Sequence, residues 1–468
     1  MSFLPNIYLC QAIFLSRNLP MKKILSSLIV AATLVLSSCD QWIDYKLNTD
    51  PNNPNDVTAN LYVAQIQAAT GWLHGGALGR LGSMFTQQFE GTDRQQQGLY
   101  NYSITTGDAN DSWDIGYTNA ITNINILIDK TRSQQNLVYY RGLAQVMKAL
   151  TIGVITDTWG DVPFSDAALG NKPNLTPKYD SQQQIYTAIQ NTLDSAIIDL
   201  NAPSGIAITN DLVFDGDRAK WRKFAWTLKA RYAIHLTKRQ GNAAATSALQ
   251  HLSRGMTSNA DNAQIRYGAS ATTANPLYQF QEARTGDLAF GSTLKKMMEN
   301  LKDPRIGPYG TDESTYPGFG PFFHEQTSPV PFALYSEHKF MEAEANQRLG
   351  NAAAAKAAYI EGIRASLTYI GVPASAITEY LAQSSVTPAG DVTLQQIMEQ
   401  KHIAMFTQPE AWTDWRRTGF PVLRAVKGSN IPRRLLTPNS EFQYNRSNIP
   451  QGSTDISWVF GRVWWDGQ

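Results

Sequence analysis

The sequence predicts a mainly α fold, a scaffold of paired helices carrying long irregular loop insertions and few short strands. Three observations lead there. Beyond residue 56 most apolar residues recur at helical spacing. Two of these stretches end in Gly-Asn punctuation, Gly350-Asn351 and Gly241-Asn242, with an Ala-rich helix on the far side. Alternating strand patterns are scarce, and the one short hairpin expected lies at residues 211–217, around Asp215-Gly216.

The elements follow in order. A first helix is expected over 57–72, with Leu61, Ile66 and Ala69 in register and Thr58 or Asp56 as its cap. Residues 75–114, rich in Gly, Gln and Asn, read mostly as loops with some helix at 83–89. Helical patterns return at 116–130, 139–157, 181–200, 219–239 and 242–254. A second irregular region, rich in Gly, Pro and aromatics, spans 257–331. Helices are expected again at 333–348, 351–370 and 393–406, before a Pro- and Trp-rich tail. Residues 340–363 look like a tetratricopeptide unit: small Ala residues let two helices approach, and Tyr359 plugs the next gap. Residues 221–238 with 243–252 repeat the pattern, and 139–155 with 184–200 and 395–406 with 412–426 are fainter copies.

The N-terminal region carries a different signal. Met21-Lys22-Lys23 precedes an apolar run over 24–36, and Leu36-Ser37-Ser38-Cys39 closes it, the order of a signal peptide with a lipobox. The expected organisation is an upstream segment 1–20 before a true start at Met21, a signal peptide 21–38, a lipidated tether 39–56 and one helical binding domain 57–468. Diacylglycerol and an acyl chain on Cys39 provide the two-chain anchoring that one chain cannot. Cys39 and Cys10 are the only cysteines, so a disulfide framework is excluded for the body. A net charge of +1 without long basic blocks excludes the electrostatic footprint of a nucleic-acid binder.

Aromatic residues are the compositional bias, with 11 Trp, 20 Tyr and 18 Phe, many in polar stretches. A ring face suits the apolar C–H face of a sugar, whose hydroxyls pair with Asn, Gln, Asp and Arg. Catalytic signatures are missing. The six histidines include no pair at i, i+4, and Gly268-Ala269-Ser270-Ala271-Thr272 fails as a nucleophile elbow. The glycines at 75, 76, 79 and 82 lack phosphate-loop spacing. Asp50-Pro51-Asn52-Asn53-Pro54 breaks the spacing of a calcium loop. No cofactor or metal is expected. Asp157 and Asp161 read as helix-end carboxylates that cap or bridge to an arginine, and Arg416 and Arg417 beside Trp412 and Trp415 read as a packing device.

A family resemblance is carried by Leu47-Asn48-Thr49-Asp50-Pro51-Asn52-Asn53-Pro54, Trp113-Asp114-Ile115-Gly116-Tyr117 and Thr156-Asp157-Thr158-Trp159-Gly160-Asp161-Val162-Pro163-Phe164. Lys220-Trp221-Arg222-Lys223-Phe224-Ala225, Trp412-Thr413-Asp414-Trp415-Arg416-Arg417 and Val463-Trp464-Trp465-Asp466 extend it. In this order, behind a lipobox, the chain resembles the SusD/RagB-like outer-membrane nutrient-binding lipoproteins, and more closely their second SusD-like subgroup. The resemblance implies a non-catalytic lipoprotein at the outer membrane, facing the cell exterior, that captures an oligosaccharide and delivers it to a SusC-like TonB-dependent β-barrel. Oligopeptide capture by the same type of importer and a surface glycoside hydrolase are the alternatives. Recognition is expected on the irregular regions: Trp72, Tyr100 and Tyr102 from the first, Tyr278, Tyr309, Tyr316 and Phe319 from the second, and Gln95, Asn101, Asp108 and Arg284 as polar partners. Trp113 is set aside as core because it belongs to the shared pattern.

Overall fold

The computed structural model describes residues 57–168, 174–310 and 318–467. Cys39 and the segments around it, and Tyr316, lie outside these residues. The described chain is mainly helical. Helix α1 (Ala59–Gly71) runs through a wide π segment (Trp72–Leu78) into α2 (Gly79–Phe85). Strand β1 (Phe89–Gly91), α3 (Arg94–Tyr100), a 3₁₀ turn (Thr106–Ala109) and α4 (Asn110–Asp114) follow. A second π segment (Ile115–Ile121) leads into α5 (Thr122–Arg132).

The region 75–114 is therefore largely helical, against the expectation of loops. The glycines there serve close packing. A Cβ on Gly75 would lie 2.3 Å from Val330 Cγ2, and one on Gly79 would lie 2.3 Å from the His74 carbonyl oxygen. Thr58 is the N-cap of α1, yet its hydroxyl donates to Asn60 Oδ1 and not to the helix backbone.

The scaffold consists of helix pairs. Helix α6 (Val138–Trp159) packs on α7 (Gln182–Leu200), and α8 (Arg218–Ile234) packs on α10 (Asn242–Leu252) across the short α9 (Thr237–Gln240). Their starts are set by side chains: Ser181 and Gln184 form a capping box on α7, and Asp217 accepts from the Ala219 and Lys220 N–H groups at α8. Close approach needs small residues. Gly153 on α6 faces Tyr232 of α8, where a Cβ would lie 1.9 Å from the phenol oxygen. Ala230, Ala233, Ala245 and Ala248 line the α8–α10 contact.

The expected hairpin at 211–217 is a set of turns. Buried Asp211 accepts from the N–H groups of Val213 (3.0 Å) and Gly216 (2.9 Å) and from Trp221 Nε1 (2.7 Å), which folds the segment onto α8 instead of pairing it as strands.

The second irregular region contains β4 (Ala263–Ile265), α11 (Pro276–Ala283), β5 (Leu288–Phe290), α12 (Ser292–Asn300), α13 (Ile306–Tyr309) and β6 (Val330–Ala333). Strand β5 pairs antiparallel with β1, Phe89 opposite Phe290 and Gly91 opposite Leu288, so the two irregular regions are clasped together. Strands β4 and β6 form a second antiparallel pair. The third joins β2 (Val162–Pro163) to β3 (Tyr179–Asp180).

Helix α14 (Tyr335–Arg348) packs on α15 (Ala352–Tyr369), joined by Gly350 at φ +79°, with the Asn351 N–H donating to the Asn346 carbonyl (2.9 Å). After α16 (Ala374–Leu381), helix α17 (Leu394–Ala404) lies chiefly against α14, and α18 (Glu410–Thr418) stops at left-handed Gly419. The fourth expected pair is correspondingly looser, since residues 419–426 are not helical.

Buried charges tie the pairs together. Arg231 donates to Glu337 from Nε (2.7 Å) and Nη2 (2.6 Å), Arg417 to Glu344 and Asp414, and His235 Nε2 lies 2.8 Å from Glu410 Oε1. The Asp157 carboxylate accepts from Tyr186 and from Trp465 Nε1 (2.8 Å), while Asp161 accepts from the Gln182 N–H (2.8 Å). Arg416 stacks over Trp412 at 4.0 Å and donates to the carbonyls of Asp157 and Arg433. Asp161 is thus a helix cap and Arg416 a packing device, as expected, whereas the Asp157 carboxylate serves the frame through Tyr186 and Trp465 instead of an arginine.

Candidate functional site

Where the two irregular regions meet, a cavity of about 420 Å³ opens. The π segment contributes Trp72 and Ala77, α2 contributes Arg80 and Leu81, and α3 contributes Gln95, Gln96 and Leu99. Gly107, Asp108, Asp111 and Ser112 come from the 3₁₀ turn and α4; Pro276, Gln279, Phe280, Ala283 and Arg284 come from α11 and its C-cap. Asn275 fixes the start of α11 by accepting from the Leu277 and Tyr278 N–H groups, with Pro276 at the first helical position.

Four expected contacts, Trp72, Gln95, Asp108 and Arg284, line this one cavity. Trp72 is 37% exposed, so a substantial part of the indole is open to a ligand. Gln95 Nε2 donates to Asp108 Oδ1 (2.7 Å), and Asp108 Oδ2 accepts from the N–H (2.8 Å) and hydroxyl (2.7 Å) of Thr105. Arg284 is oriented by Asp287, a fully buried carboxylate that accepts from Arg284 Nε (2.7 Å) and also from Arg94 Nε (2.5 Å). Phe280 carries two guanidinium groups near its ring, with Arg80 Cζ 4.1 Å and Arg284 Cζ 5.9 Å from the centroid.

The other expected contacts fall elsewhere. Tyr309 is 1% exposed, stacks on Phe406 at 4.7 Å and donates to the Ile403 carbonyl (2.9 Å). Phe319, 3% exposed, packs on Phe89 at 4.4 Å. Buried Tyr102 lies by Phe85, and its oxygen accepts from the Val426 N–H (3.0 Å). These three rings are core, because the irregular segments fold inward around Phe406 and Phe85. Tyr100 packs against the core with its ring partly open, and Asn101 caps α3. Tyr278 lies over His324 at 5.5 Å, outside the cavity lining. Trp113 is buried among Tyr117, Trp159 and Tyr179.

Arg80, Asp111 and Phe280 are lining residues that sequence reasoning missed. Arg80 sits inside the glycine cluster Gly79-Arg80-Leu81-Gly82, where the phosphate-loop test failed and the cation itself was the useful signal. Burial pulls the Arg80 pKa down to about 10, opposed by Asp111 and reinforced by Arg284; the group stays charged at neutral pH. Among the described residues no group of three or more His, Cys, Asp and Glu comes together as a metal site. Burial lowers the His74 pKa to about 4 and the His338 and His402 pKa values to about 3, so these imidazoles are neutral members of the frame.

A rigid frame of helix pairs presenting a polar, ring-walled cavity is the build of a binding protein. The sequence model of a family described as "Starch-binding associating with outer membrane" matches residues 51–438, and the chain belongs to this SusD-like family. Among solved structures it is similar to a SusD/RagB family protein of Bacteroides thetaiotaomicron, at 26% identity and a TM-score of 0.75 over 88% of this chain and 99% of that one. It shares the fold of a chitin-binding protein (24% identity, TM-score 0.73, 88% and 100% covered). The same holds for a chitin-binding SusD homologue of Flavobacterium johnsoniae (23%, 0.72, 87% and 98%). No curated protein matches. Among the described residues no helix is long and apolar enough to cross a membrane.

Proposed function

We propose that this chain is a lipid-anchored outer-membrane protein, facing the cell exterior, that captures an oligosaccharide in the Trp72 cavity and hands it to a SusC-like TonB-dependent barrel without chemical change. The observation that carries the reading is the exposed indole of Trp72 on a cavity whose lining also holds amide, carboxylate and guanidinium groups. Stacking by an indole with hydrogen bonds from Gln95, Gln96, Gln279 and Arg284 suits a pyranose better than an apolar solute. The chitin-binding description of two proteins of similar fold supports a glycan over a peptide. Anchoring is assigned to Cys39.

The test is isothermal titration of the protein starting after Cys39 against plant, host and microbial oligosaccharides beside a peptide mixture. Saturable binding to one glycan class, weakened about 5- to 30-fold in Trp72→Ala, is the expected result. Binding of peptides alone, or of neither, overturns the glycan reading. Cys39→Ala is expected to release the full chain from membranes, and a tagged wild type is expected to co-purify with a β-barrel partner.

A further inference from the structure

Arginines set into this body use their donors. Arg231 is held by Glu337 and the Phe332 carbonyl, Arg305 by Asp303, Ser366 and Gln400, and Arg434 by the Trp159 carbonyl. Among the described arginines Arg80 alone is both shielded from full exposure and without any hydrogen bond or ion pair. Phe280 offers it a π face and no acceptor, which leaves the five N–H donors of a planar fork uncommitted. Asp111 attracts it only through space. The Ser112 hydroxyl, buried in the same lining, also has no partner. Asp108 accepts from Thr105 and Gln95, and Arg284 donates from Nε to Asp287, so Arg80 is the lining cation with no hydrogen-bond or ion-pair partner.

We infer that the cavity takes a sugar unit bearing an anionic group, a carboxylate or a sulfate ester, which closes on Arg80 with Ser112 as a neighbouring donor. The inference rests on the glycan reading above and narrows the ligand. A partly desolvated guanidinium left without acceptors is costly, and its fork matches two oxygens of one anionic group. Asp111 is exposed, so its opposing charge acts across solvent and is screened.

Four probes separate the sources: an oligogalacturonate, its carboxyl-reduced counterpart, a sulfated oligosaccharide and its desulfated counterpart. One acidic probe is expected to bind at least about tenfold tighter than its neutral counterpart, with the preferred pair identifying the anion. Arg80→Gln is expected to erase that preference, with acidic binding falling at least about tenfold further than neutral binding, and Asp111→Asn to strengthen acidic binding. Equal binding of acidic and neutral forms overturns the inference and leaves the glycan reading intact. So does equal loss of both in Arg80→Gln, which makes Arg80 a hydroxyl donor. If Arg80→Gln fails to fold, Asp111→Asn decides: weaker acidic binding overturns the proposal. Silence toward every glycan overturns both readings.

Discussion

Replacing Trp72 by Ala isolates the energetic role of the cavity rim. Trp72 is 37% exposed. A buried indole removes about 150–250 Å² from water, so roughly 60–90 Å² remains for a ligand to cover. At about 25 cal/mol per Å² that is ~1.5–2 kcal/mol, and a sugar resting on one face recovers ~1–2 kcal/mol of it. The expected result is a loss of about 5- to 30-fold in affinity by isothermal titration. Ile198→Ala is the matched control, because Ile198 is 72% exposed on α7 and absent from the cavity lining. It is expected to leave affinity unchanged. A Trp72→Ala protein that melts within a few degrees of wild type and binds within twofold of it refutes the assignment of this cavity.

Gly153→Ala drives a methyl to within 1.9 Å of the Tyr232 oxygen, so α6 and α8 must separate or the ring must move. A loss of ~1–3 kcal/mol in urea unfolding is expected, and a null result means the helices slide apart without cost. Asp287→Asn removes the charge shared by Arg94 and Arg284, whose side chains are partly exposed; about 1–2 kcal/mol of stability and several-fold in ligand affinity should go together.

Acid stability has a defined sign. Folded His74, His338 and His402 titrate at about 4, 3 and 3 against 6.5 when free, so their contribution is present above pH 6.5 and is lost as pH falls towards 3–4. Burial pushes the Glu344 carboxyl up, but Arg417, Arg348 and Lys401 override it and hold the group at about 2 against 4.5. That contribution is present above pH 4.5 and lost as pH falls through 2. The urea midpoint should therefore decline below pH 6.5, and a flat midpoint from pH 7 to 4.5 contradicts the burial of these imidazoles.

Local pattern was enough for the helix pairs. Gly350-Asn351 ends one helix and opens the next because a left-handed cap is a property of a few adjacent residues, and the Ala-rich faces of α8, α10 and α15 state their own need for close packing. The family was legible for a related reason: its marks are contiguous stretches such as residues 156–164 and 412–417. Glycine misled at residues 75–79, because the same residue breaks a helix in water and lets one pack closely in a core.

The site divides along the same line. Trp72, Gln95, Asp108 and Arg284 were recognisable as ring and polar groups in polar segments, and so, by the same reasoning, were Tyr309 and Phe319. Composition cannot separate the two sets, since whether a ring in a Gly- and Pro-rich stretch faces a ligand or Phe406 depends on contacts between residues far apart in the chain. The pairing of Phe89 with Phe290 brings α3 and α11 to one cavity across about 200 residues. Arg80 acquires its meaning only there. In sequence it is one cation among many, and the folded chain sets a ring beside it and no hydrogen-bond partner. The sequence by itself determined the helical frame and the family; the tertiary structure alone decided which side chains share a cavity, because that depends on long-range packing that no local pattern encodes.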